Sequence, residues 1–207
     1  MIGFYNYTVI VTYIGTVSAL MGMFAALTHS PTAAILFFCV CGFCDMFDGA
    51  IARTRKRTDE EKRFGIQIDS LSDLVAFGVF PAVIGYSIGL DSLWHMPLLA
   101  GYMLAALIRL AYFNVMEENR QKTETGKRKE YDGLPVTTSS LFFPLVYLVT
   151  MRVAPHAIAA VYGVTMAVVG TLFISPIKVK KLSVKGNFTV AAVGMAIVAV
   201  VYMVMGR

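Results

Sequence analysis

Residues 44–73 read CDMFDGAIARTRKRTDEEKRFGIQIDSLSD, and they place Asp45, Asp48, Asp69 and Asp73 inside segments otherwise apolar enough for a bilayer. On either side the chain runs hydrophobic for stretches of about 17–25 residues, the length needed to cross roughly 30 Å of hydrocarbon. Seven such stretches are legible: Tyr7–Leu27, Ala33–Ala52, Ile66–Leu90, Leu93–Met116, Pro135–Met151, Ala154–Ile174 and Phe188–Met205. Only 15% of the 207 residues are charged and 57% are hydrophobic, whereas a soluble domain carries about 25% charged residues. The expectation is an all-α integral membrane protein, with residues 1–207 forming one membrane-embedded domain. The first stretch lacks the basic leader of a cleaved signal peptide and is kept as a span.

The charges that do occur are sorted by loop. Arg53–Arg63 holds six Lys and Arg, Glu117–Gly133 five and Ser175–Gly186 four, together 15 of the 18. The alternate connections contain only Arg152. Basic residues gather in cytoplasmic loops, so the N-terminus and these three loops are expected inside, in a multi-pass protein of the cell membrane. The net charge of +5 is mostly this topological signal. Nucleic acid is not an expected partner, because the basic loops lack interleaved aromatics and any recognisable binding module.

Of the 13 Asp and Glu, only the four of the opening stretch lie inside spans. Each costs about 2.5–3.5 kcal/mol to insert at mid-membrane, and intramembrane ionisable residues therefore point to function. Asp45 and Asp48 are i,i+3 and Asp69 and Asp73 are i,i+4, so each pair shares a helical face. Counted from the loop between them, Asp48 and Asp69 lie roughly 6–8 Å deep and Asp45 and Asp73 roughly 12 Å. Two antiparallel helices would gather four carboxylates, and such a cluster repels itself in a low dielectric unless cations sit within it. Oxygen-only ligands suit hard ions such as Mg²⁺, Mn²⁺ or Ca²⁺. A metal site, with room for two ions, is the expectation.

Other polar residues leave two readings open. Gly49 and Ala52 share the face of Asp45 and Asp48, and Gly65 heads the stripe that continues to Asp69 and Asp73. Small residues there either let helices pack closely or leave room for a substrate. Arg53 at the mouth is either an ordinary positive-inside residue or a phosphate contact. Arg109, the one Lys or Arg well inside a span, is either a structural ion pair or an anion contact. Thr137 and Thr138 begin the fifth span and either offer hydroxyls to a ligand or bond backbone. Cys39, Cys41 and Cys44 are read as packing residues of the second span. His29, His95 and His156 fall at the outer connections, a membrane thickness from the aspartates, which excludes histidine catalysis.

The pattern D-x2-D-G-x2-A-R…G-x3-D-x3-D, here Asp45, Asp48, Gly49, Ala52, Arg53, Gly65, Asp69 and Asp73, resembles the signature of the CDP-alcohol phosphatidyltransferases. Eleven residues separate Arg53 from Gly65 where the signature has eight, and the surplus falls in a segment that reads as loop. Further segments, FGIQIDSLSDLVAFGVFPA, LIRLAYFNV and YDGLPVTTSS, are similar to membrane-embedded bacterial and archaeal phosphatidylserine synthases, with Tyr112 a departure from an arginine usual there. The resemblance implies a six-helix catalytic core, to which Phe188–Met205 would be an addition, and a homodimer. It implies transfer of a phosphatidyl group from CDP-diacylglycerol to an alcohol, L-serine in the narrower resemblance, with release of CMP. Asp45, Asp48, Asp69 and Asp73 would hold Mg²⁺ or Mn²⁺, and Asp73 would act as general base. Asp48, Gly49, Ala52, Arg53 and Gly65 would meet the CDP moiety. Arg109, Thr137 and Thr138 would meet the acceptor or a phosphate. Sister transferases using glycerol 3-phosphate or inositol are the runner-up. A cation transporter is the rival of another class, disfavoured because the carboxylates gather near one face and no repeat is visible.

Overall fold

The computed structural model describes residues 3–123 and 130–180. They contain six helical spans long and apolar enough to cross a membrane: Tyr7–Leu27, Pro31–Ala52, Asp59–Ser87, Met96–Asn119, Val136–Val153 and Pro155–Ile174. Within them run α1 (Ile10–Leu27), α2 (Pro31–Ala52), α3 (Asp59–Asp73), α4 (Phe80–Ser87), α5 (Met96–Thr123), α6 (Ser139–Val153) and α7 (Ile158–Ile174). The chain is thus a multi-pass, all-helical membrane protein in its spans. The expected helix over Phe188–Met205 lies outside the described residues.

α3 and α4 belong to one span, joined by a π-helical segment at Leu74–Val79. That span begins at Asp59, not at Ile66 as hydrophobicity alone indicated. Asp59–Phe64 read as loop because of its charge, yet Thr58 and Glu61 form a capping box: the Thr58 hydroxyl accepts from Glu61 N at 3.1 Å and Thr58 N donates to the Glu61 carboxylate at 3.0 Å. Two orphan N–H groups are satisfied reciprocally, which nucleates the helix ahead of the apolar run.

α1 buries small residues and turns its large ones outward. The buried face of α1 is Thr12, Gly15, Ala19, Gly22 and Ala26, at the three- and four-residue spacing that defines one stripe. Its exposed face is Ile10, Ile14, Val17, Leu20, Met21, Phe24 and Leu27. Lipid is as apolar as leucine, so large side chains gain nothing by leaving it, and close backbone approach decides the interface. α1 accordingly makes its most extensive contact with α2. A Cβ on Gly42 of α2 would fall 2.5 Å from the Ser140 Cβ of α6, so that crossing is equally tight.

Aromatic rings fill the middle. Phe38 meets Phe80 edge-on at 5.5 Å, Tyr102 meets Phe143 edge-on at 5.6 Å, and Phe143 lies 4.7 Å from Tyr162. Two of the tyrosines also mend the α3–α4 span. Pro81 has no N–H to offer Phe77 four residues back. The Tyr102 hydroxyl donates to that carbonyl at 2.8 Å, and the Tyr162 hydroxyl donates to the Pro81 carbonyl at 3.3 Å. Neighbouring helices commonly satisfy backbone groups freed by proline in a membrane.

At the end of the bundle where α5 passes to α6, a short antiparallel ribbon pairs β1 (Glu130–Asp132) with β2 (Lys178–Lys180), Tyr131 opposite Val179. It ties this connection to the end of α7. Gly133 follows with φ of +77°, and a Cβ there would stand 2.6 Å from the Phe173 carbonyl oxygen. Gly133 N donates to Ile177 O at 2.7 Å. Both the backbone conformation and the space require glycine.

Candidate functional site

α1 sets the relation between the two acidic helices. Cys44, next to Asp45, lies with its Cβ 3.2 Å from where a Cβ on Gly15 would stand, and the Cys41 thiol donates to the Gly15 carbonyl at 3.4 Å. Ser72, next to Asp73, shares a 2.7 Å hydrogen bond with Thr16, one turn along the same face of α1 from Thr12. On its other flank α3 is tied to α5, where Ser70 and Asn114 exchange hydrogen bonds of 2.9–3.0 Å. Serines on either side of the acidic stripe therefore fix the rotation of α3. The face left over carries Asp69 toward α2. The cysteines are free thiols, Cys41 and Cys44 buried and Cys39 half-buried, a disposition that fits packing.

Asp45, Asp48 and Asp69 come together: one carboxylate oxygen from each lies within 4.8 Å of the other two. All three are half-buried. Three carboxylates so close, with no nitrogen or sulfur donor in the set, fit a hard divalent cation, whose charge would offset their mutual repulsion. Asp73 is half-buried one turn further along α3 and stands outside this group of three. The four aspartates therefore divide into a triad and a fourth carboxylate beside it.

Gly49 is exposed, and a Cβ added there would meet nothing within 4 Å. Among the described residues no neighbouring atom packs against it, which favours the second of the two readings open for it, space beside the carboxylates. Ala52 is half-buried at the last turn of α2, and Arg53 caps that helix with its side chain exposed. Gly65 lies beneath Arg57, whose Nη1 stands 3.0 Å from the position a Cβ would take.

Arg109 is buried at 6% exposure on α5. Its guanidinium carbon lies 5.5 Å from the centre of the Phe113 ring, and its Nε is 3.3 Å from where a Cβ on Gly133 would be. The Gly133 turn therefore closes over it. Thr137 and Thr138 occupy the 3₁₀ turn Val136–Thr138, where the Thr138 hydroxyl donates to Pro135 O at 2.6 Å and the Thr137 carbonyl accepts from the Ser140 hydroxyl at 2.7 Å. Backbone bonding, one of the two roles open to these threonines, is thus realised for Thr138.

Residues absent from the sequence reading also surround the site. Glu61 was legible as the end of a T-x-x-E capping signal, which the charge of its neighbours masked. Arg57 over Gly65, and the Ser70–Asn114 pair, give no sign in the sequence, because both depend on how separate helices or turns meet.

The CDP-alcohol phosphatidyltransferase family model matches residues 5–173. The CDP-diacylglycerol–serine O-phosphatidyltransferase of Saccharomyces cerevisiae is 41% identical over 116 residues, covering 55% of this chain and 41% of that protein. The enzyme of the same name from Bacillus subtilis is 30% identical over 146 residues, 69% of this chain and 80% of that one. An archaetidylserine synthase of Methanothermobacter thermautotrophicus is 32% identical over 133 residues, 63% of this chain and 53% of that one. The match thus spans about two fifths of the yeast protein, half of the archaeal one and most of the Bacillus one. The fixed residues of the family signature stand on the two helices whose carboxylates converge, with Arg53 capping the first of them, and the family match runs through all six described spans: the chain belongs to the CDP-alcohol phosphatidyltransferase family.

Proposed function

We propose that the protein transfers the phosphatidyl group of CDP-diacylglycerol to L-serine, forming phosphatidylserine and CMP. The observation that carries the reading is a carboxylate triad beside an open glycine. Asp45, Asp48 and Asp69 converge within 4.8 Å while Gly49, on the same face of α2, faces empty space. A site for cations and a space for their anionic ligand are thereby adjacent. The relatives whose names specify serine supply the choice of acceptor.

In this reading Asp45, Asp48 and Asp69, with Asp73 at the margin, hold two divalent ions, Mg²⁺ or Mn²⁺. When bound, such ions neutralise the diphosphate and stabilise charge on the attacking and leaving oxygens of an in-line displacement. Gly49, Ala52 and Gly65 leave room for the nucleotide beside Asp48, and Arg53 meets a phosphate oxygen. Asp73, outside the triad, takes the proton from the serine hydroxyl. The hydroxyl oxygen forms a bond to the phosphatidyl phosphorus as the bond from that phosphorus to the CMP oxygen breaks. Carboxylate base catalysis of this kind contributes about 10²–10⁴-fold. Arg109 holds the serine carboxylate, with Thr137 and Thr138 at the same end of the bundle.

The acyl chains stay in the bilayer while the head group meets water-soluble serine at the cytoplasmic rim of the cell membrane. The protein works as a homodimer, each protomer a single catalytic domain. Purified protein supplied with CDP-diacylglycerol, Mg²⁺ or Mn²⁺ and a panel of L-serine, glycerol 3-phosphate and inositol tests the assignment. CMP release with serine alone is expected. Product with glycerol 3-phosphate or inositol and none with serine would move the chain to a sister activity. Cation uptake into vesicles without CMP formation would overturn the transferase reading.

A further inference from the structure

Glu61 does more than cap α3. Its Oε2 accepts from Thr58 N, which completes the capping box, while its Oε1 accepts from Arg55 Nη2 at 3.2 Å and from Asn6 Nδ2 at 3.4 Å. Capping needs only the first of these. The Glu61 side chain is 14% exposed and its bond with Asn6 is partly buried, unlike the neighbouring exposed Lys62–Asp59 pair. Asn6 is itself a cap: its Oδ1 accepts from Thr8 N at 3.0 Å and from the Thr8 hydroxyl, starting the turn that leads into α1. One amide side chain therefore joins the beginnings of α1 and α3.

Two further contacts run parallel to it. The Thr54 hydroxyl donates to Ile51 O at 2.8 Å. Its one proton is thus committed, and the 3.0 Å contact with Tyr7 has the tyrosine hydroxyl donating to Thr54. The Phe4 ring packs edge-on against Phe64 at 5.5 Å. Residues 4–7 thus touch the start of the connection Arg53–Thr58 and the first turns of α3 that follow it. That connection holds Arg53 and Arg57, the latter standing over Gly65. Thr58 and Glu61 fall within the eleven residues that separate Arg53 from Gly65.

We propose that Glu61 is a positioning residue for nucleotide binding: with Asn6 and Tyr7 it straps the Arg53–Thr58 connection to the start of α1 and so holds Arg57 beside Gly65 and Arg53 at the end of α2. The inference rests on the reading that a cytidine nucleotide occupies the space next to Gly49.

The test uses the full-length protein in detergent, with two readouts: the KM values for CDP-diacylglycerol and serine, and the Kd of CMP by titration calorimetry with Mg²⁺ present. Glu61→Ala should raise the CMP Kd and the CDP-diacylglycerol KM about tenfold, the scale of one lost charge-assisted hydrogen bond. The serine KM and kcat should stay within about twofold, and Glu61→Gln, which keeps an acceptor oxygen, should recover most of the affinity. Asn6→Ala combined with Tyr7→Phe should weaken nucleotide binding in the same direction, and adding Glu61→Ala should cost less than the sum, because the variants cut one link. Lys62→Ala on the same turn should change neither constant. A Glu61→Ala protein with a lowered Tm and an unchanged CMP Kd would reduce Glu61 to a helix cap and end the proposal. Equal increases in both KM values, or strictly additive variants, would end it as well. A wild-type protein that neither binds CMP nor releases it would overturn the nucleotide reading itself, and the strap with it.

Discussion

At the end of the bundle that holds the carboxylates, a Cβ added to Gly49 would meet nothing within 4 Å, whereas further along α1 one added to Gly22 would collide with the Phe80 ring and lie 2.7 Å from the Phe37 Cβ. Both are glycines on spanning helices, and their missing side chains serve opposite ends. Gly22 belongs to a region closed by its own atoms, where Phe38, Phe77, Phe80, Phe143 and Tyr162 are fully buried against one another. Gly49 belongs to a region the chain leaves unfilled, lined by carboxylates that repel one another. The first region is held together by shape, which is what association in lipid depends on. The second brings like charges together, an arrangement that costs stability and that the proposed binding of a cation would offset.

The largest blow to this contrast should come from the acidic side. Asp45→Asn, Asp48→Asn or Asp69→Asn should each lower the rate of CMP release by at least about 100-fold, or roughly 2.7 kcal/mol at 1.36 kcal/mol per decade, and EDTA should do the same. Measured without metal, the Tm of these variants should hold or rise, because a like charge has been removed. A variant that folds and keeps full activity would break the comparison at its strongest point.

Arg109→Ala comes next. Its expected effect is a rise in the serine KM of roughly 10- to 100-fold, corresponding to about 1.5–3 kcal/mol for a charge-assisted contact, with the CDP-diacylglycerol KM little changed. Weakening of CDP-diacylglycerol with serine unaffected would make Arg109 a diphosphate ligand instead.

The two glycines offer the sharpest paired measurement. Gly22→Val forces the Phe80 ring to move and α1 to back away from the Phe37 Cβ, and should cost about 1–3 kcal/mol of stability, read as a lower Tm in detergent. Gly49→Ala should hold or raise the Tm, because alanine favours the helix, and should raise the CDP-diacylglycerol KM, since the added methyl enters ligand space. If Gly49→Ala lowered the Tm as Gly22→Val does, the distinction between a packed and an open region would dissolve.

The smallest effect belongs to Tyr102→Phe. It removes the hydroxyl that serves the Phe77 carbonyl opposite Pro81 and should cost about 1 kcal/mol, the net worth of one buried hydrogen bond. No change in Tm would mean that the carbonyl finds another donor.

How much of this was legible beforehand divides along physical lines. Hydrophobic run length located the six described spans, with ends such as Tyr7–Leu27 and Ala52 coinciding with the helices found, because lipid imposes one length scale on any segment that crosses it. Run length failed at Asp59–Phe64, since a helix that projects past the apolar run is started by its cap, and hydropathy does not register caps. The i,i+3 and i,i+4 spacings already placed each aspartate pair on one face, a property of a single helix. That three of the four come within 4.8 Å of one another while Asp73 lies beside that group was not contained in those spacings. It depends on the rotation of α3 relative to α2, which Thr16 and Asn114 set from helices distant in sequence. The same holds for the glycines: the sequence made both Gly22 and Gly49 small, but only the packing of neighbouring helices decided that one would be filled by Phe80 and the other left open. Local periodicity fixes what a helix presents, and contacts between segments far apart in the chain fix what it is presented to.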